Sequence, residues 1–378
     1  MDLKKISLLA LLLLFILSGG LFIELFSDSV LVSGAVGNSW TPMAPMNQAR
    51  GHLGVVALDD KIYAIGGSLT FFASKDSTVD TNECYDPSSN TWVTLTSMPT
   101  PRTDFAIAAC DGKIYCIGGY TYDKTGMQVF SVVNEVYDIA SDSWSTKAAF
   151  PVSKAGLSAQ AAEGQIFVLG ADDNTLFVYN PASDVWTEKN SRPIFDSNLV
   201  PVLVDDRLMS VGLFCNTTDD DVVTSEYKVL LIDGSREGKA EPALSKSAFV
   251  AGVSLRRVYI FLADEQNEGT LAYETTGSNT WTKGVAMPTR RTYSGVGVVN
   301  DIFYVIGGFD ATDRAPLDVN EQYMPIGHRD TVVVYRSGSP LGNLFLVAMW
   351  IRVAVVVVVA VSLPFFLKNK EKQKEQNQ

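Results

Sequence analysis

Histidine is nearly absent from this chain: its 378 residues hold two, His52 and His328. A histidine-based metal site therefore has few ligands to draw on. Cysteine is scarce as well, with Cys84, Cys110, Cys116 and Cys215 and no C-x-x-C pair. Cys110 and Cys116 flank one hairpin, but their parity about the turn puts them on opposite sheet faces. The four cysteines read as small buried hydrophobes. Charged residues make up only 19% of the chain, and the net charge is −12. That balance argues against a nucleic-acid partner, because phosphate binding needs clustered Lys and Arg. No G-x-S-x-G, H-E-x-x-H or phosphate-binding loop occurs. No residue set implies a cofactor or a metal.

What the chain has in abundance is apolar sequence, 47% of it, with the longest runs at the two ends. Lys4 and Lys5 precede an apolar run over residues 6–17. This is the pattern of a secretory signal, either cleaved or retained as an anchor, and it assigns residues 1–36 to export. Residues 344–367 are long enough to span the roughly 30 Å hydrocarbon layer. Arg352 falls in the outer third of that run, where its long stem reaches the interface. Lys368, Lys370, Lys372 and Lys374 follow at once in a tail over 368–378. Both basic flanks belong in the cytoplasm. The intervening domain, residues 37–326, and a linker over 327–343 are therefore expected outside, at the cell membrane.

One pattern recurs six times between the ends. Two residues separate an apolar segment from a second one that ends in glycine or another small or apolar residue, as in VVALDDKIYAIGG and AIAACDGKIYCIGG. The separating pairs are Asp59-Asp60, Asp111-Gly112, Glu163-Gly164, Asp205-Asp206, Leu255-Arg256 and Asn300-Asp301, spaced by 52, 52, 42, 50 and 45 residues. A two-residue link between β-rich segments predicts a tight hairpin. A period of about 40–50 residues predicts propeller blades. Downstream, Tyr85 precedes Trp92, Tyr137 precedes Trp144, Tyr179 precedes Trp186 and Tyr273 precedes Trp281. These mark two further strands, four per blade. The fourth unit has lost both aromatics. Tyr323 has no following Trp, and Trp40 has no preceding hairpin. The Trp40 segment is thus expected to complete the sixth blade and close the ring.

The double glycines Gly66-Gly67, Gly118-Gly119 and Gly307-Gly308, with the downstream Tyr and Trp, resemble the kelch-repeat family from Trp40 to about Pro325. The resemblance implies an all-β, six-bladed kelch-type β-propeller. The motif glycines, with Trp40, Trp92, Trp144, Trp186 and Trp281, are read as blade packing: close backbone approach and large apolar area.

Candidate sites lie on the face shared by the loops that enter the innermost strands and join the second and third strands. Nine residues before each turn pair stand Arg50, Arg102, Lys154, Asp196, Lys246 and Arg291. The five cations would attract a carboxylate, sulfate or phosphate at the channel mouth. The competing reading is that each pairs with a local carboxylate or carbonyl. Long loops on the same face carry Phe71, Phe72, Tyr120, Tyr122 and Phe130, which suit a protein or sugar partner. The expected function is an extracytoplasmic, membrane-anchored binding or adhesion module for a protein or glycan. The alternative is a carbohydrate-active propeller resembling sialic-acid mutarotases, holding an anionic sugar at the basic mouth. The copper oxidases related to galactose oxidase are excluded by the missing histidines.

Overall fold

In the computed structural model, each inner hairpin turns on two residues in left-handed backbone, for example Asp59 (φ 52°) with Asp60 (φ 58°) and Leu255 (φ 49°) with Arg256 (φ 62°). Two positive φ values in a row match the right-handed twist of the flanking strands. The structure describes residues 37–169, 175–189, 197–217, 223–231, 241–242, 249–262, 270–274 and 281–325. The expected export segment (1–36), linker (327–343), membrane span (344–367) and basic tail (368–378) lie outside the described residues. Among the described residues no helix is long and apolar enough to cross a membrane.

The hairpins extend into six four-stranded antiparallel sheets. The first holds Gly54–Leu58, Lys61–Ile65, Asn82–Asp86 and Thr91–Leu95, and the second Ala106–Cys110, Lys113–Ile117, Asn134–Asp138 and Ser143–Lys147. The third holds Ser158–Ala162, Gln165–Leu169, Leu176–Asn180 and Val185–Lys189, and the fourth Ser197–Val204, Arg207–Thr217, Val223–Leu231 and Glu241–Pro242. The fifth holds Phe249–Ser254, Arg257–Leu262, Thr270–Glu274 and Trp281–Lys283. The sixth holds Gly295–Val299, Ile302–Ile306 and Asn320–Met324, with Ser39–Met43 from the other end of the chain as its outer strand. The innermost strands touch their neighbours in sequence order, and Gly54–Leu58 touches Gly295–Val299 to return to the start. This is an all-β propeller. Cys84, Cys110 and Cys116 are buried and free.

The aromatics sit where the repeat placed them. Tyr85 pairs with Trp92, Tyr137 with Trp144, Tyr179 with Trp186 and Tyr323 with Trp40 across the two outer strands, ring centroids 4.8–5.1 Å apart. Tyr273 pairs with Trp281 in the same register; the side chain of Trp281 lies outside the described residues. Each described Trp also reaches into the preceding sheet. Nε1–H donates to a carbonyl there: Trp92 to Ala44, Trp144 to Thr96, Trp186 to Ala148 and Trp40 to Val285, at 2.8–3.0 Å. The N–H of that same residue donates to the Oδ1 of the Asn or Asp two positions before the Trp: Asn90, Asp142, Asp184 and Asn38. The same Oδ1 also accepts the tyrosine hydroxyl. One Asx and one Trp thus clamp both main-chain groups of one residue in the neighbouring sheet.

The double glycines serve close approach between sheets. Gly66 (φ 60°) and Gly67 (φ 102°) carry left-handed backbone, and a Cβ on them would stand 2.8 Å from Arg102 O and 2.6 Å from Gly51 O. Both facts exclude a larger residue. Gly118, Gly119, Gly307 and Gly308 repeat the conformation, with a neighbouring carbonyl 2.5–3.2 Å from each added Cβ.

Two predictions follow from the clamps. Trp40→Ala removes the ring wedged against Tyr323 and Phe261 and should lower stability by about 3 kcal/mol, read from the denaturant midpoint. Asp142 and Asp184 are held below the ordinary carboxylate value, first by the Tyr137 and Tyr179 hydroxyls and then by the clamped N–H. A depressed folded pKa gives stability that is present above the unfolded value, near 3.8, and is lost as pH falls through the folded one. The double variant Asp142→Asn, Asp184→Asn should therefore melt with less pH dependence than the parent below about pH 4, checked by thermal scans down an acid series.

Candidate binding face

Strand direction alternates, so the links into each innermost strand and those joining second to third strands emerge together on a loop face. The tight turns emerge on the opposite, turn face. Ser39 is paired with Met324, and Asn38 N–H donates to Met324 O at 2.7 Å. Both ends of the described chain, Gly37 and Pro325, therefore lie at the turn face, and the loop face carries neither.

The arginine side chains are not exposed at a channel mouth, although Arg291 is among the residues lining the central channel. Arg50, Arg102 and Arg291 are almost fully buried, and each is ion-paired with a glutamate on the third strand of its own sheet: Glu83, Glu135 and Glu321. Arg50 also donates to the carbonyls of Gly66 (3.0 Å), Ala64 (2.8 Å) and Gln48 (3.0 Å). Arg102 donates to the carbonyls of Gly118, Val133 and Cys116. The second oxygen of each glutamate accepts from Asn47 N–H, the Thr100 hydroxyl or the Thr289 hydroxyl. Burial lowers the pKa of all three guanidiniums, that of Arg291 to about 10, and the partner carboxylate opposes the shift. This corrects the expected cationic ring: these side chains fasten the loop-face corner of a blade and offer no anion an accessible charge. Lys154 is half-buried, with a partner of its own, and its carbonyl accepts from Gly119 N–H. Lys246 and Asp196 lie outside the described residues.

The residues that do stand around the mouth come two positions later. His52 (φ 54°), Asp104 (φ 51°) and Tyr293 (φ 55°) occupy equivalent left-handed positions, and Gly156 (φ 63°) is their counterpart in the third sheet. Such backbone in non-glycine residues costs of order 1–3 kcal/mol each. His52 Nδ1 lies 2.8 Å from Asp104 Oδ1, and its ring packs on Tyr293 at 4.0 Å. Below them a channel of about 570 Å³ runs between the innermost strands, with mostly aliphatic side chains such as Val56, Ile107 and Val298, and with Gln160. Sequence reasoning missed this trio because the three side chains share no chemistry. The signal was positional, seven residues before the turn pair, where His52, Asp104, Gly156 and Tyr293 stand.

The aromatic loops divide into supports and display. Phe71 is wedged between His52, Tyr293 and Phe309 at 5.5–6.3 Å, and its carbonyl lies 3.2 Å from His52 Nε2. Phe72 projects beyond it, 74% exposed. The Arg314 guanidinium lies over both rings, at 4.8 and 5.4 Å. In the second sheet, Tyr120–Tyr122 and Gln128–Phe130 form a two-stranded ribbon. Tyr120 stacks on Phe130 at 5.0 Å, and the Tyr122 hydroxyl donates to Ala73 O at 2.6 Å, tying the ribbon to the first loop. Phe130 and Met127 are 51% and 67% exposed. The two loops thus touch, and each presents exposed apolar side chains. Among the described residues no group of three His, Cys, Asp or Glu side chains is placed to hold a metal.

Comparison with known proteins bears on this geometry. The kelch motif model matches residues 49–99, 101–151 and 290–328, which cover the first two sheets and the sixth. Mouse Kelch-like protein 35 is 32% identical over 146 residues, 38% of this chain and 24% of that protein. Human Kelch repeat and BTB domain-containing protein 13 is 37% identical over 133 residues, 35% of this chain and 27% of that protein. The chain carries kelch motifs over these three stretches and is similar there to kelch-repeat proteins. It spans about a quarter of the length of these curated kelch relatives. The solved structure of YjhT superposes with a TM-score of 0.58 at 15% identity, covering 73% of this chain and 95% of that one. That likeness shows the propeller fold alone.

The buried pairs give a test of the architectural role. Glu135→Gln leaves the Arg102 charge buried without its counter-ion and should cost about 3–5 kcal/mol, measured by chemical denaturation. An anion-binding ring would instead keep its stability and lose only ligand.

Proposed function

We propose that this kelch propeller is six-bladed, is held at a membrane with its propeller outside the cytoplasm, and binds a protein partner through the loop face. Kelch propellers generally serve as protein-interaction modules. The observation that carries the reading is the exposure of Phe72, Met127 and Phe130 on two touching loops of the first two blades. Contiguous exposed apolar side chains on a rigid scaffold mark interaction sites, and aromatics and Arg dominate the energetics of such sites. Arg314 on the Phe71 and Phe72 rings fits that composition. The aliphatic share, with Met127, Val129 and Val132 exposed, favours a protein over a glycan, which needs converging polar groups.

Membrane attachment rests on the run over 344–367 and its basic flank. It agrees with Gly37 and Pro325, the two ends of the described residues, lying at the turn face. The anionic-sugar alternative called on Arg50, Arg102 and Arg291, and each of these is buried and ion-paired.

The test is crosslinking and affinity capture from solubilised membranes of the native cell, with parent chain and Phe72→Ser side by side. A partner retained by the parent and reduced at least tenfold in Phe72→Ser, with unchanged melting of the propeller, supports the reading. Equal capture by both chains, or binding found only on a glycan array, overturns it.

A further inference from the structure

Among the described residues, no strand pairs with the outer edge of the ribbon on the second blade; the link to the third blade meets that edge only at Val132 O, which accepts from Phe150 N–H at 2.8 Å, and at Phe130 O. Tyr120 uses both main-chain groups on Thr103: its N–H donates at 2.8 Å and its carbonyl accepts at 3.0 Å. Tyr120 therefore turns its main chain away from Phe130, although the two residues are paired. In an antiparallel ladder, hydrogen-bonded and open pairs alternate. The ladder bonds must then fall at Thr121 with Val129, and again at Asp123 with Met127, where Asp123 N–H does donate to Met127 O at 2.9 Å. The consequence is that Gln128 and Phe130 direct their N–H and C=O groups outward. Phe130 O accepts the Ser153 hydroxyl at 3.2 Å and keeps a second lone pair. All three residues of the Gln128–Phe130 strand are exposed.

Natural edges are blunted by Lys, by Pro or by inward-pointing charge. The stretch GMQVFSVV over residues 126–133 has none of these. It carries no charge within a chain of net charge −12, so the like-charge repulsion that opposes self-association elsewhere is missing here. A two-stranded ribbon is marginal alone, whereas four strands with an apolar side are stable.

We propose that this edge pairs with the same edge of a second copy of the chain. Two Gln128–Phe130 strands lie antiparallel across a two-fold axis, Val129 facing Val129 of the second copy and Gln128 facing its Phe130. That register gives each outward N–H a carbonyl and makes the contact isologous, so it closes at a dimer. The two ribbons become one four-stranded sheet flanked by Met127, Phe130 and Val132. The inference uses the loop face proposed above but not the hetero-partner proposed for it.

The test uses the full chain in detergent micelles and in nanodiscs. Sedimentation should show a concentration-dependent dimer, weakened at least tenfold by Val129→Lys, which sets two ammonium groups opposite each other. Val129→Cys should form a covalent dimer under mild oxidant, and the unsubstituted chain and Thr94→Cys, on the outer strand of the first blade, should not. A parent chain that stays monomeric, a dimer untouched by Val129→Lys, or absence of the Val129→Cys crosslink overturns the proposal. Phe72→Ser should keep the dimer. If the dimer behaves as expected but no partner depends on Phe72, the hetero-partner reading fails and the self-association stands.

Discussion

The fold depends on a clamp that, at four described blade junctions, holds one residue by both its main-chain groups. A Trp Nε1–H takes the carbonyl, and an Asn or Asp oxygen takes the N–H, at Ala44, Thr96, Ala148 and Val285. A strand end at a sheet junction would otherwise leave these groups unsatisfied and partly buried, at about 1–3 kcal/mol per group. The Trp is held by its stacked Tyr, and the Asx oxygen by the same Tyr hydroxyl. Neighbouring blades are therefore registered by hydrogen bonds, while the aromatic area excludes water around them. At the seam the clamp comes from Asn38 and Trp40, so closure uses the same chemistry as every other described junction rather than a special device.

In the three blades that show them, the Arg–Glu pairs perform a second registration. The guanidinium gathers carbonyls from the second strand and a carboxylate from the third. It ties the loop-face corner in a geometry that lysine's single ammonium would not reproduce. Rigid corners allow the adjoining loops to hold Phe72 and Phe130 in water.

The seam was legible in the sequence because it is written as two complementary fragments, a Tyr323 with no Trp and a Trp40 with no hairpin. The blade core was legible because turn pair, glycine pair and aromatics recur at nearly fixed offsets. The basic residues were left with two readings, anion binding or local pairing, for a physical reason. Offset from a turn fixes where along a loop a residue lies, but not whether its side chain points out to solvent or back into the blade. The glutamates that decide this, Glu83, Glu135 and Glu321, recur one position after the equally repeated Asn82, Asn134 and Asn320, and a search for pairs would have found them. The His52, Asp104 and Tyr293 trio had no such signature, since what they share is a backbone conformation and not a functional group.

In the pairing of Ser39–Met43 with Asn320–Met324, the two ends of the described propeller emerge side by side. Tension applied between those ends acts on the ladder from its first bond, Asn38 to Met324, and loads the remaining bonds one after another in the manner of a zipper. Shear would have to break them together. Of all the joints in the ring, the seam is thus the one set to yield at low force, and a pull between the two ends would release Trp40 and its hold on Val285 before disturbing any other blade.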